Sequence, residues 1–364
     1  MNNNELNELI STLREIKTNK PIVGILPHLM VPYELVYASQ CHPLLMCIGG
    51  DDEMSTIGTE YLTQATCPFA RSIIGYFQNS HPIFELIGNL IGGNYCNGDL
   101  TGSEMIKIYF NRNLIPIIFP TTSKPNAQKF FYWELKNLKK RLEKKFDVDI
   151  KNQAIRDAIN KFNQMRSLFR RIEKQKVEMS FMNHIEFQKL IYKAMLLGPD
   201  VIIPELEKVL DNNQSEAKNL GKKIILTGSI IAMGDEFLEF LSSLDIDIII
   251  NDTEFGRAYY ESDIQSNHED PFKDLVDYYL KNTTAARMYP NNVSIPRAIN
   301  FYKKYNAEGV INHILKFCDP YVANKSLFKE KLAEEGIPTL EIERDYSTTK
   351  GQLMTRIEAF LEMI

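Results

Sequence analysis

Between Gly309 and Asp345 the chain reads GVINHILKFCDPY and then KSLFKEKLAEEGIPTLEIERD, and this stretch restricts the fold most tightly. An apolar run, Val310 to Phe317, lies between Gly309 and Pro320 and reads as a buried strand entering a loop. Apolar residues at helical spacing follow (Leu327, Phe328, Leu332), then Gly336 as a stop and a second strand, Thr339 to Ile342. Two strands joined through a helix need a parallel crossover, so the unit commits the chain to an α/β architecture. Cys318 falls in the loop at the carboxyl end of the first strand, where ligands and chemistry gather in open α/β sheets.

The same alternation runs along most of the chain. After a surface helix from Asn4 to Thr18 come a strand (Pro21 to Pro27), a helix (Val31 to Gln40) and a strand (His42 to Gly50). A helical piece within Thr63 to Phe77, a glycine-interrupted strand (Glu85 to Tyr95), a helical segment (Ser103 to Tyr109) and a strand (Leu114 to Pro120) follow. Ala127 to Phe146 is a long amphipathic helix. Strand signal then fades, and helical spacing at Ile155, Ile159 and Phe162 and again at Phe187, Leu190 and Ile191 predicts a connector. The α/β pattern restarts at Lys222 to Ile231 and continues through a helix (Asp235 to Leu244), a strand (Asp245 to Asp252) and helices near Pro271–Lys281 and Pro296–Tyr305. With 364 residues, more than one core usually serves, the expected organisation is an α/β domain over 1–147, a helical connector over 148–220 and a second α/β domain over 221–364. Each half has the order of a doubly wound parallel sheet.

A net charge of −5 argues against a nucleic-acid partner, since phosphate binding needs a basic surface. The one lysine-rich stretch, NLKKRLEKKF, reads as a solvated helix face. The polar start NNNELNELI has no signal-peptide pattern and no later apolar run reaches membrane-spanning length, so a cytoplasmic protein without membrane contact is expected. Five sparse cysteines do not make a disulfide framework; they are core thiols or ligands.

Several motifs carry chemistry on paper. TGSIIAMGDE (Thr227 to Glu236) has a glycine-bearing turn before a helix, but lacks GxGxxG spacing and a GK[ST] ending, so an ordinary β-α turn is the simpler reading than a phosphate cradle. Asp252, Glu254 and Arg257 follow a strand, and Arg257 is the candidate substrate contact, with a local carboxylate as its competing partner. His28 and His313 are candidate acids or bases, though a lone histidine is more often hydrogen-bonded structure, and no catalytic residue is assigned. Cys41 and Cys47 sit at and in a strand, where a small apolar residue packs. Cys67 is different: it precedes Pro68, a residue favoured at the first position of a helix, and a thiol at a helix N-terminus is drawn toward the thiolate. Cys96 follows a strand as Cys318 does. Two of these three thiols lie in the first half and one in the second, so a cleft between halves could collect them. Three thiolates would leave one iron of a [4Fe–4S] cluster open to substrate.

At this point the chain resembles the subunits of 2-hydroxyacyl-CoA dehydratases, a family related to benzoyl-CoA reductases. The likeness runs over most of the length and is densest in GVINHILKFCDPY, GIPTLEIERD and GQLMTRIEAFLEMI, with further segments in HPLLMCIGG, CPFARSIIGYF, NYCNGD, LTGSIIAMGDEFLEFL and IINDTEFGRAYY. It implies two flavodoxin-like domains joined by helices, and a [4Fe–4S] cluster between them on three cysteines, matched here by Cys67, Cys96 and Cys318. It implies further that an ATP-dependent iron–sulfur activator delivers one electron and that a ketyl radical then expels the hydroxyl of an acyl-CoA substrate. A homologous second subunit is implied as partner, and the length resembles that of the smaller subunit. Asn97 stands where the family commonly carries Asp. A benzoyl-CoA-reductase-like reductase subunit and a non-catalytic electron-relay or assembly subunit remain open as alternatives.

Overall fold

The structure is a computed structural model that describes residues 3–26, 30–212, 221–281, 288–289 and 293–364. His28 lies outside the described residues. Strands β1 (Ile22–Ile25), β2 (His42–Leu45), β3 (Asn89–Gly93) and β4 (Asn113–Ile117) form one parallel sheet in the order β2-β1-β3-β4. Strands β5 (Lys222–Gly228), β6 (Ile246–Thr253), β7 (Gly309–Leu315) and β8 (Thr339–Arg344) form a second, in the order β6-β5-β7-β8. Both orders are the first four strands of the flavodoxin-like arrangement. In each, the chain steps to one side, then reverses across its first strand, which creates a switch point between β1 and β3 and between β5 and β7. Every residue of β1, β2 and β7 is buried, as strands covered on both faces must be.

Between β4 and β5 the helix Pro125–Phe146 is followed by two long rods, Asn152–Met179 and His184–Asp211. The second opens with a reciprocal cap: the Asn183 side chain accepts from the Glu186 amide, and the Glu186 carboxylate accepts from the Asn183 amide. It bends at Gly198, whose φ of +70° suits glycine, just before Pro199. One hydrophobic cluster joins the first sheet, both rods and the segment from Phe255 to Leu280, while two smaller clusters cover the faces of the second sheet.

The sheets also meet through backbone. Expected as a strand to Gly50, the chain leaves the first sheet after Leu45 because Cys47 to Gly49 pair with the loop that follows β5. The Gly49 amide donates to the Met233 carbonyl at 3.0 Å and the Met233 amide to the Cys47 carbonyl at 2.8 Å. A side chain on Gly50, at φ +90°, would stand 2.3 Å from the Asp235 amide nitrogen, so this approach requires glycine. The TGSIIAMGDE segment thus spends Met233 on docking the two domains. Among the described residues, no helix is long and apolar enough to cross a membrane.

Candidate functional site

Because both sheets are parallel, the loops at their carboxyl ends can face one another, and here they enclose one cavity of about 270 Å³. Leu26 enters it after β1, Cys96 after β3, Ser229 after β5, Glu254 after β6 and Cys318 after β7. The helices starting at Pro68 and Asn97 complete the wall. Cys67, Cys96 and Cys318 all line this space, each partly buried.

Each thiol is placed by a different local device. Cys67 precedes the helix Pro68–Gln78, where proline at the first position loses no hydrogen bond, and the amides of Phe69 and Ala70 approach its sulfur. Cys96 begins the helix Asn97–Phe110, and its Sγ accepts from the Asp99 amide at 3.3 Å. That helix starts earlier than the expected Ser103, because glycines at 98 and 102 dilute the helical pattern in sequence. Gly98 sits against both thiols: a Cβ there would lie 3.1 Å from the Ala70 Cβ, a tight contact, and at ordinary contact distance, 3.7 and 3.9 Å, from Cys96 Sγ and Cys67 Cβ. Cys318 follows Phe317, which adopts a left-handed φ of +60°, an uncommon conformation for a bulky residue and one that turns the chain sharply out of β7.

Burial pushes all three thiols above the ordinary cysteine range, Cys96 to about 12 with Asp99 adding to it. The thiols also raise one another: Cys67 and Glu254 act on Cys318, and Cys67 acts on Cys96. Amide hydrogen bonds pull the other way, from Phe69 and Ala70 on Cys67 and from Asp99 on Cys96. Three thiols from separate elements, two in the first half of the chain and one in the second, thus face one space. Among the described residues, no three His, Cys, Asp or Glu side chains stand together as a site for a single metal ion.

The other expected residues are distributed as follows. Cys41 and Cys47 are buried in the core away from the cavity lining, their thiols raised by burial. Arg257 lies outside the lining, in contact with Glu173 and, through Nε at 3.0 Å, with Glu261, and its guanidinium stacks 4.9 Å from the Phe301 ring. Asp252, raised to about 6 by burial with Arg297 opposing, contacts Arg297. Expected beyond the strand, Asp252 lies within β6, which runs on to Thr253 through ladder pairing with β5; of Asp252, Glu254 and Arg257, Glu254 alone lines the cavity. His313 is fully buried in β7, held well below the usual histidine range by burial and the nearby Arg344. Tyr95 and Tyr321, which sequence reasoning passed over, line the cavity beside the thiols; the signal was their adjacency to cysteine in NYC and CDPY.

A family model described as 2-hydroxyglutaryl-CoA dehydratase, D-component, matches residues 28–364. The chain is 23% identical over 355 residues to a protein of Escherichia coli (strain K12) named putative dehydratase subunit YjiM, covering 94% of this chain and 91% of that one. It is 24% identical over 356 residues to the (R)-phenyllactyl-CoA dehydratase beta subunit of Clostridium sporogenes, covering 96% and 93%. It is also 24% identical over 359 residues to the (R)-2-hydroxyglutaryl-CoA dehydratase subunit beta of Acidaminococcus fermentans, covering 95% and 93%.

Proposed function

Since this chain belongs to the 2-hydroxyglutaryl-CoA dehydratase D-component family, we propose that it is one subunit of a 2-hydroxyacyl-CoA dehydratase in which Cys67, Cys96 and Cys318 hold a [4Fe–4S] cluster. A homologous subunit and an ATP-dependent iron–sulfur activator complete the system in this reading. The observation that carries it is the meeting of three thiols from both sheets at one cavity. The donor chemistry fits: thiolate is the ligand such clusters take, and thiols spread around a cavity suit a group of several atoms better than one ion. When bound, the cluster supplies single low-potential electrons, the chemistry of ketyl-radical dehydration.

The chain's own residues do the rest. Amides at the starts of the helices Pro68–Gln78 and Asn97–Phe110 offset part of the burial that disfavours the thiolate form ligation needs. Phe69, Ile73, Ile106 and Leu315 form apolar wall, which limits water around a reactive group. Substrate contact by Arg257 would require it to leave Glu173 and Glu261, so Arg257→Lys tests that part separately: an unchanged KM removes it from the binding site.

The test is anaerobic preparation of the full chain with iron and acid-labile sulfide analysis. About four iron atoms per chain and a brown chromophore are expected, with loss of both in Cys67→Ser, Cys96→Ser and Cys318→Ser. A wild-type chain that stays colourless and iron-free after reconstitution overturns the reading. Water loss from 2-hydroxyacyl-CoA thioesters, measured with partner subunit, activator and ATP, then tests the reaction itself.

A further inference from the structure

Tyr95 stands immediately before Cys96, and Tyr321 three residues after Cys318. Their hydroxyls both donate to the same atom, Oε1 of Glu254, each at 3.1 Å. Glu254 is only 6% exposed and follows β6, so one carboxylate oxygen receives bonds from the loop after β3 in the first sheet and the loop after β7 in the second. A second bond spans the same two loops: Asn97 Nδ2 donates to Asp319 Oδ2 at 3.2 Å, joining the residue after Cys96 to the residue after Cys318.

Backbone bonds hold the Cys318 loop at its base, where the Lys316 amide donates to the Arg344 carbonyl, and within its own turn, where the Cys318 amide donates to the Leu315 carbonyl. The loop is followed by a single helical turn, Asp319–Val322, none of whose residues is fully buried, and it is entered through the left-handed Phe317. A buried carboxyl oxygen is costly to leave without hydrogen-bond donors, so the shared acceptor is a firm link.

We propose that Glu254 is a positioning residue: by accepting from Tyr95 and Tyr321 on one oxygen, it sets the separation of the Cys96 and Cys318 loops across the domain boundary. The thiol set is thereby shaped before any metal arrives. The consequence for iron rests on the cluster reading above, whereas the clamp is a property of the metal-free chain.

Three full-length variants separate the cases. Glu254→Gln keeps an oxygen with two lone pairs for both tyrosines, Glu254→Leu removes the acceptor at similar volume, and Tyr95→Phe/Tyr321→Phe removes both donors while keeping the rings. In the metal-free chain carrying Cys67→Ser, a short bismaleimide should link Cys96 to Cys318, read by peptide mass mapping. In chains with all three thiols, iron retention is measured against a chelator, and melting by circular dichroism shows that each variant is folded. Linking should slow severalfold, and iron retention weaken roughly tenfold, in Glu254→Leu and in the double phenylalanine variant, with Glu254→Gln matching wild type. The clamp is overturned if the folded leucine or double variant links and retains iron as wild type does, or if Glu254→Gln fails as leucine does. Should wild type bind no iron while the linking rates still separate as expected, the cluster reading falls and the clamp stands.

Discussion

Gly98 shows how closely the site is drawn at the scale of single residues. A methyl group there would press on the Ala70 Cβ at 3.1 Å, between the helices that carry Cys67 and Cys96. Glycine inside a helix costs about 1 kcal/mol relative to alanine, so Gly98→Ala should change the melting temperature little or raise it, yet lower iron content on reconstitution. A second residue-scale prediction concerns acid. Burial and the nearby Lys176 hold His184 down to about 4, and its Nε2 lies 3.0 Å from the Ser242 hydroxyl. The folded value is depressed below the unfolded one, so the stability of neutral His184 is complete above about pH 6.5 and is lost as pH falls toward 4. His184→Gln should flatten that slope by up to ~3 kcal/mol in urea titrations between pH 7 and 4.5. The positions of Cys67, Cys96 and Cys318 at element ends were legible in the sequence. The grouping of Tyr95, Glu254 and Tyr321 was not, because three strand ends meet only once both sheets are built.

Among the elements, the helix Tyr33–Ala38 is pinned to the rod Asn152–Met179 and to the helix Pro271–Lys281 by one buried charge network. Arg166 Nη2 donates to Glu34 Oε1 at 2.5 Å, and the Tyr279 hydroxyl to Glu34 Oε2 at 2.7 Å. Glu34 is fully buried and Arg166 nearly so. Removing one partner strands the other charge, so Glu34→Ala should cost about 3–5 kcal/mol, measured by urea denaturation. Arg166→Met with Glu34→Leu should recover much of that loss, since an apolar pair leaves no charge uncompensated. Sequence periodicity located Tyr33–Ala38 and Pro271–Lys281 to within a few residues and marked only the first part of the rod, at Ile155, Ile159 and Phe162. It could not show that Glu34 and Arg166 meet, since a charged residue on a helix reads as solvent-facing until its neighbours are known. The early start of Asn97–Phe110 was hidden for a related reason: glycines at 98 and 102 weaken the pattern by which a helix is recognised.

At the scale of the whole molecule, alternation of strand and helix was enough to predict two doubly wound sheets, and both are present. What alternation could not convey is which sheet an amphipathic helix covers. The segment from Phe255 to Leu280, which follows β6 in the second sheet, packs into the cluster of the first sheet and the two rods. The halves are therefore laced together by a crossing segment as well as by the Met233 backbone bonds. Two of the cavity's thiols hang from one half and the third from the other. If they share a cluster, the cofactor is itself a cross-brace, and it gives way as soon as the halves begin to part. Gentle warming should then bleach the brown protein while its far-ultraviolet dichroism is still intact, and the gap between the two transitions would measure how far the halves can part before either one melts.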